Sequence, residues 1–235
     1  MNILITGTSS GIGNGLAKEF LQRGDQVWGI SRRKDRALIA YSNYYHLNLD
    51  LTNFAEVQSK LADFINSAQK LGLVILNSGI LGEIKWMKEV NVNSMKEVME
   101  LNVWANKVFL DELLAQNKVI KQVIAMSSKA SLRSSPGWGS YSLSKAGLNM
   151  LMNIYAKEYP DTHFTAFAPG LVDSQIQEKI YNIKETDKYP TLKTLQDARY
   201  TDTMPDSQTA APMLIKGMKK ALEYDSGSFV DVREL

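Results

Sequence analysis

"NILITGTSSGIG" (residues 2–13) decides how the rest of the chain is read. The apolar run 2–6 ends in Gly7, and Gly11 and Gly13 follow within six residues. Ile12, Leu16, Ala17, Phe20 and Leu21 then recur at helical spacing. A strand, a glycine turn and a helix in that order form a cradle for a pyrophosphate. Glycine lets the backbone turn tightly and come close to the anion, and the free N–H groups of the helix start face it. A plain tight turn accounts for one glycine, not three. The stretch is therefore expected to bind a nucleotide through Gly7, Ser9, Ser10, Gly11, Ile12 and Gly13.

The same residues also spell G-x-S-x-G, the elbow of a serine hydrolase, with Ser9 as nucleophile. That reading needs a histidine base at the same end of the sheet. The chain has two histidines, His46 inside a strand pattern and His163 at the amino end of another, and both read as structural.

Outward from the turn, apolar runs recur at 26–30, 44–49, 73–76, 122–126, 164–168 and 228–232. Helical patterns separate them, with a capping box at Asn53 and Glu56 and long stretches near 94–116 and 138–158. Strands alternating with helices predict an α/β fold of one domain over 1–235, a doubly wound parallel sheet of the Rossmann type in three layers. Residues 171–206 are polar and broken by prolines, with few helix or strand signals, and read as a mobile lid over a substrate.

Composition narrows the function. Of 235 residues, 44% are hydrophobic and 22% charged, and the net charge of +2 is too small to argue for nucleic acid. No apolar run reaches membrane-spanning length, and "MNILITG" does not read as a secretory signal. Cysteine is absent and histidine scarce, so no metal site is expected. A reducing compartment, the cytoplasm, suits this composition.

Chemically distinctive residues follow each strand pattern, at the sheet edge where such folds bind ligands. After the second comes Ser31-Arg32-Arg33, where an acidic residue for the ribose hydroxyls of NAD would usually stand. Arginine grips a 2′-phosphate with paired donors, so NADP(H) is preferred over NAD(H). Asp50 and Leu51 follow the third strand; Asp50 either accepts from the adenine amine or caps the next helix. Asn77, Ser78 and Gly79 follow the fourth, Ser128 the fifth, and Pro169, Gly170 and Val172 the sixth.

"YSLSK" (141–145) places Tyr141 and Lys145 one turn apart on a helix face shared with Leu148 and Met152. An ammonium beside a phenol favours the phenolate and lowers its pKa, which would make Tyr141 an acid/base near neutral pH. Alone, the pair also fits a lysine snorkelling past a core tyrosine. Ser128, thirteen positions upstream, is close enough to converge on it through a loop. Asn102 lies on the apolar face of Val98, Ala105 and Phe109, where its amide needs buried partners.

In order and spacing, "TGTSSGIG" (6–13), "LNSG" (76–79), Asn102, Ser128, "YSLSK" and "PGLVDS" (169–174) resemble the single-domain short-chain dehydrogenases/reductases across nearly the whole chain. Ser174 stands where that family often has threonine, and "FVDVREL" lacks its glycine pair. The resemblance implies an NADP(H)-dependent oxidoreductase of small carbonyl or alcohol substrates. It implies Tyr141 as acid/base, Lys145 on the nicotinamide ribose, Ser128 on the substrate oxygen and Asn102 holding a relay water. Asn77 and Gly79 would line the cofactor groove, and Pro169-Gly170 would close over the nicotinamide. It further implies a homodimer or homotetramer built on the two long helices. Trp138 and Leu132 are further candidates for the pocket wall. The alternative is a non-catalytic NADP-sensing module on the same fold, for which the set Ser128, Tyr141 and Lys145 would be superfluous.

Overall fold

The computed structural model describes residues 1–235. The apolar runs become strands β1 (Asn2–Thr6), β2 (Gln26–Ser31), β3 (Tyr44–Asn48), β4 (Leu73–Leu76), β5 (Gln122–Met126), β6 (His163–Ala168) and β7 (Phe229–Asp231). They form one parallel sheet in the order β3-β2-β1-β4-β5-β6-β7. The order reverses beside β1, and the loops leaving β1 and β4 diverge there to open a crevice.

Helices α1 (Gly11–Gln22), α2 (Phe54–Phe64), α3 (Val92–Met99), α4 (Ala105–Leu114), α5 (Gly139–Glu158), α6 (Gln175–Tyr181), α7 (Pro190–Ala198) and α8 (Ser207–Lys220) provide the crossovers and the covering layers. Alternate strand residues point to opposite faces. Ile3, Ile5, Leu73 and Ile75 pack with Leu16 and Phe20 of α1 and Leu214 of α8. Leu4, Val74 and Leu76 pack with Val57 and Leu61 of α2, Phe109 of α4 and Leu148 and Met152 of α5. Burial on both faces is why the strands read as unbroken apolar runs. No helix is long and apolar enough to cross a membrane.

Two local expectations are corrected, and one open alternative is decided. The helical pattern near 94–116 is not one helix, because a π-turn over Glu100–Trp104 separates α3 from α4. Asn53, not Asp50, caps α2: its Oδ1 accepts from the Glu56 amide at 3.3 Å. Residues 171–206, expected to lack regular structure, contain α6 and α7. Pro190 opens α7, a position where its missing N–H costs nothing. Ile180, Tyr189 and Leu192 then bury themselves against Leu81, Ile84 and Trp138 in a third apolar cluster. That burial, rather than helix propensity or capping, holds the two short helices.

Candidate active site

The glycine turn lies at the carboxyl end of β1. Gly7 and Gly11 take φ of +78° and +58°, left-handed conformations natural to glycine. A side chain at Gly13 would meet the Gly7 carbonyl oxygen at 2.4 Å, so the turn closes only without one. Ser10 begins α1 without capping it through its side chain, and no acidic residue stands in the first turn. The leading N–H groups of α1 therefore lack intrahelical partners and face an adjoining crevice of about 580 Å³. This donor set fits the pyrophosphate of a dinucleotide.

At one end of the crevice the chains after β2 and β3 meet. The Ser31 hydroxyl donates to the Arg33 carbonyl at 2.8 Å and lies 3.0 Å from His46 Nε2. Burial, then Lys34, lowers the His46 pKa, against the Arg33 backbone. The Arg32 guanidinium is 73% exposed and 3.6 Å from Asp50 Oδ2. Asp50 also accepts from the Thr52 amide and hydroxyl at 3.0 and 2.8 Å. Burial opposes ionisation of Asp50, but the Thr52 bonds and Arg32 outweigh it and lower its pKa.

At the other end stand Tyr141 and Lys145, both on α5 and both lining the crevice. Lys145 is 4% exposed, and its ammonium donates to the Met126 carbonyl at 2.7 Å, where β5 ends. It lies 5.6 Å from the centre of the Tyr141 ring. Burial lowers the Lys145 pKa to about 8. Burial also pushes Tyr141 up to about 12, against the Ser128 hydroxyl beside it. The expected lowering of the phenol is thus reversed in direction: both groups lose hydration, and each retreats towards its neutral form.

Asn102 is fully buried. Its Oδ1 accepts from the Ile80 amide, and its Nδ2 donates to the Ile80 carbonyl and to Ser144 Oγ, each at 2.9 Å. A side chain at Gly79 would crowd Asn102 Oδ1 at 3.1 Å and Lys145 Nζ at 3.4 Å, so glycine lets both groups approach the backbone there.

The crevice brings together Gly7, Ser9, Ser10, Gly11 and Ile12 with Ser31, Arg32, Arg33, Asp50 and Leu51. Asn77, Ser78, Gly79, Tyr141, Lys145 and Pro169 complete the expected lining. Five expected residues do not line it. Gly13 packs beneath the turn, Val172 joins the core, and Asn102 is enclosed behind Ile80. Gly170 packs toward Val232 and Arg233, and Ser128 is nearby, next to the Tyr141 phenol. Leu132 is 62% exposed and Trp138 belongs to the third cluster, edge-on to Tyr141 at 6.3 Å, so neither forms the wall expected of it.

Sequence reading missed Ile80, Leu81, Thr52, Glu97, Ile176 and Lys179, which also line the crevice. Ile80, Leu81 and Thr52 adjoin segments already singled out. Ile176 and Lys179 carry no local signal and arrive with α6.

Fold and crevice define a doubly wound α/β protein that takes its ligand at the switch point of the sheet. The sequence model of the family described as "short chain dehydrogenase" matches residues 1–185. A benzil reductase ((S)-benzoin forming) of Bacillus cereus is 30% identical over 202 residues, 79% of this chain and 81% of that protein. Among solved structures, a short-chain dehydrogenase/reductase from Saccharomyces cerevisiae superimposes with a TM-score of 0.84 at 23% identity, covering 98% of this chain and 95% of the other. The protein ElxO with NADP bound gives 0.80 at 20% identity, covering 98% and 96%. The chain belongs to the short-chain dehydrogenase/reductase family. As such it is an oxidoreductase of carbonyl and alcohol groups that works with a nicotinamide cofactor.

Proposed function

We propose that the protein is an NADP(H)-dependent reductase in which Tyr141 gives the proton to the substrate carbonyl oxygen. The observation that carries this reading is the opening of the Tyr141 phenol and the Lys145 ammonium onto the same crevice as the glycine turn. The cofactor, when bound, supplies the hydride. The turn from Gly7 to Gly13 and the start of α1 hold its pyrophosphate. Arg32 and Arg33 hold the 2′-phosphate, since no carboxylate occupies the end of β2. A protein of the same fold with NADP bound lends this preference support.

With its pKa pushed up to about 12, the Tyr141 phenol stays protonated at neutral pH and is set to donate. Lys145 orients the nicotinamide ribose, and its cationic form stabilises the phenolate left after donation. Ser128 donates to the same carbonyl oxygen; its Oγ already accepts from the Ala130 amide at 3.2 Å, which leaves the hydroxyl proton free. A water held between Asn102 and Lys145 would complete the route by which the phenol regains its proton.

Residues 171–206 serve as the lid. Leu81 and Ile176 line the crevice together with Tyr141 and are apolar, so the site suits a carbonyl flanked by apolar or aromatic groups. The diketone substrate named for the Bacillus cereus relative has that character.

The test is NADPH oxidation against a panel of aromatic and aliphatic carbonyl compounds. Tyr141→Phe is expected to bind NADPH as the natural protein does and to lose at least about 100-fold in kcat, the low end of general acid catalysis. Undiminished turnover by that variant would remove Tyr141 from the reaction.

A further inference from the structure

Four hydrogen bonds outside the proton route surround Ser128. The Ser127 hydroxyl donates to Asn149 Oδ1 at 2.5 Å. The Asn149 amide donates to Ser131 Oγ at 2.8 Å. The Ser131 hydroxyl donates to the Ser128 carbonyl at 2.6 Å, and the Ser131 amide donates to that carbonyl at 2.9 Å. Asn149 thus holds the loop on both sides of Ser128, through residues 127 and 131.

Asn149 belongs to α5, eight residues after Tyr141 and four after Lys145. On a helix these three share a face, and the rise between the first and the last is about 12 Å. The element that carries the phenol therefore also carries the clasp that holds the serine. Two other side-chain contacts tie this face of α5 to the end of β5, the bond from Lys145 to the Met126 carbonyl and the contact of the Ser128 hydroxyl with the Tyr141 phenol. In the proposed reaction that ammonium also serves the nicotinamide ribose and the phenolate. Asn149 has no such second duty, and Ser127, its partner on the strand side, is 4% exposed and anchored through its own amide to the Phe167 carbonyl at 2.7 Å.

We infer that Asn149 is a positioning residue: with Ser127 and Ser131 it fixes the distance between the Ser128 hydroxyl and the Tyr141 phenol, so that both meet one carbonyl oxygen. The inference rests on the proposed reductase reading. Two donors that must converge on one atom tolerate little displacement, and an error of about 1 Å is enough to cost up to 100-fold in rate. Of Asn149, Ser127 and Ser131, only Ser127 lines the crevice, and it is left intact in Asn149→Ala and Ser131→Ala; Asn149 and Ser131 do not line it, so their loss is expected to spare cofactor affinity.

The experiment combines kinetics with amide hydrogen exchange. Asn149→Ala and, separately, Ser131→Ala are expected to lower kcat about ten-fold or more, with the NADPH dissociation constant unchanged. In a Ser128→Ala background Asn149→Ala is expected to add no further loss, because it acts through Ser128. Without cofactor, exchange at 129–133 is expected to quicken in both clasp variants while β5 stays protected. An equal loss in the Ser128→Ala background, or an unchanged kcat in both folded clasp variants, would overturn the inference. If the natural protein reduces no carbonyl at all, the reductase reading falls. Exchange at 129–133 then decides the clasp by itself, and rates unaltered by Asn149→Ala or Ser131→Ala would dismiss it. Should Asn149→Ala fail to fold, Ser131→Ala, a smaller change on a partly buried loop, carries the same comparisons.

Discussion

Lys145 and Tyr141 are displaced in opposite directions by the same loss of water, to about 8 and about 12. The consequence for stability follows from proton counts. An unfolded lysine titrates near 10.5, so between pH 8 and 10.5 the unfolded chain binds more protons at this site, and folding gains as pH rises through that window. For Tyr141 the sign is reversed: above pH 10 the unfolded phenol gives up its proton first, and stability is lost towards pH 12. Melting curves of the natural protein and Lys145→Met between pH 7 and 10 check the first statement. Their difference is expected to shift in favour of the natural protein from about pH 8 upwards, and a constant difference would contradict it. The second prediction at this scale concerns Arg32. Arg32→Asp is expected to weaken NADPH by about ten- to a hundred-fold, the worth of a lost charge-assisted contact of about 1.5–3 kcal/mol. NADH binding should change far less, which fluorescence titration of both cofactors would measure.

Among the elements, α5 carries both Tyr141 and Lys145, and the pair α6–α7 makes up the proposed lid. Arg199, just past the end of α7, is mostly buried; its guanidinium donates to Asp173 at 3.1 Å and packs against the rings of Tyr181 and Tyr200, 5.0 and 4.8 Å from their centres. This contact ties the far end of the proposed lid to the loop that follows Pro169-Gly170. Arg199→Ala leaves Asp173 without its cation and is expected to destabilise the segment by about 1–3 kcal/mol. Limited proteolysis should then cut first between 174 and 200, and the substrate KM should rise more than kcat falls. The π-turn at Glu100–Trp104 belongs to this scale too. It sets the Asn102 amide against both backbone groups of Ile80.

Across the whole molecule, the two cores are closed and the crevice lies on one edge of the sheet, but one outer face is apolar. Trp104, Leu143, Met150 and Ile154 are 51%, 52%, 59% and 43% exposed beside and along α5. Large exposed apolar side chains grouped on one face are a mark of an interface, and we propose that this face joins two copies of the chain. Met150→Glu with Ile154→Glu is expected to yield a species of 26.3 kDa in sedimentation, where the natural protein sediments as a dimer or tetramer. A natural protein that already sediments as a monomer would defeat this.

Much of this molecule is local, and local features are written in the chain. Strands buried on both faces are apolar throughout, so the inner strands β1, β4 and β5 could be placed from their composition, while the edge strands β3 and β7 carry less of that signal. A turn that presses Gly13 against the Gly7 carbonyl admits no side chain, so the glycines betray the anion cradle. Helical spacing alone aligns Tyr141 with Lys145. What the tertiary structure decided depends on groups brought from afar. The π-turn falls where Asn102 bonds both backbone groups of Ile80, twenty-two residues away. Helices α6 and α7 form because Leu81, Ile84 and Trp138 offer them an apolar floor. The direction of the Tyr141 shift was likewise beyond the sequence: the sign of a pKa change is set by how much water the fold removes, and that depends on every element packed around the phenol.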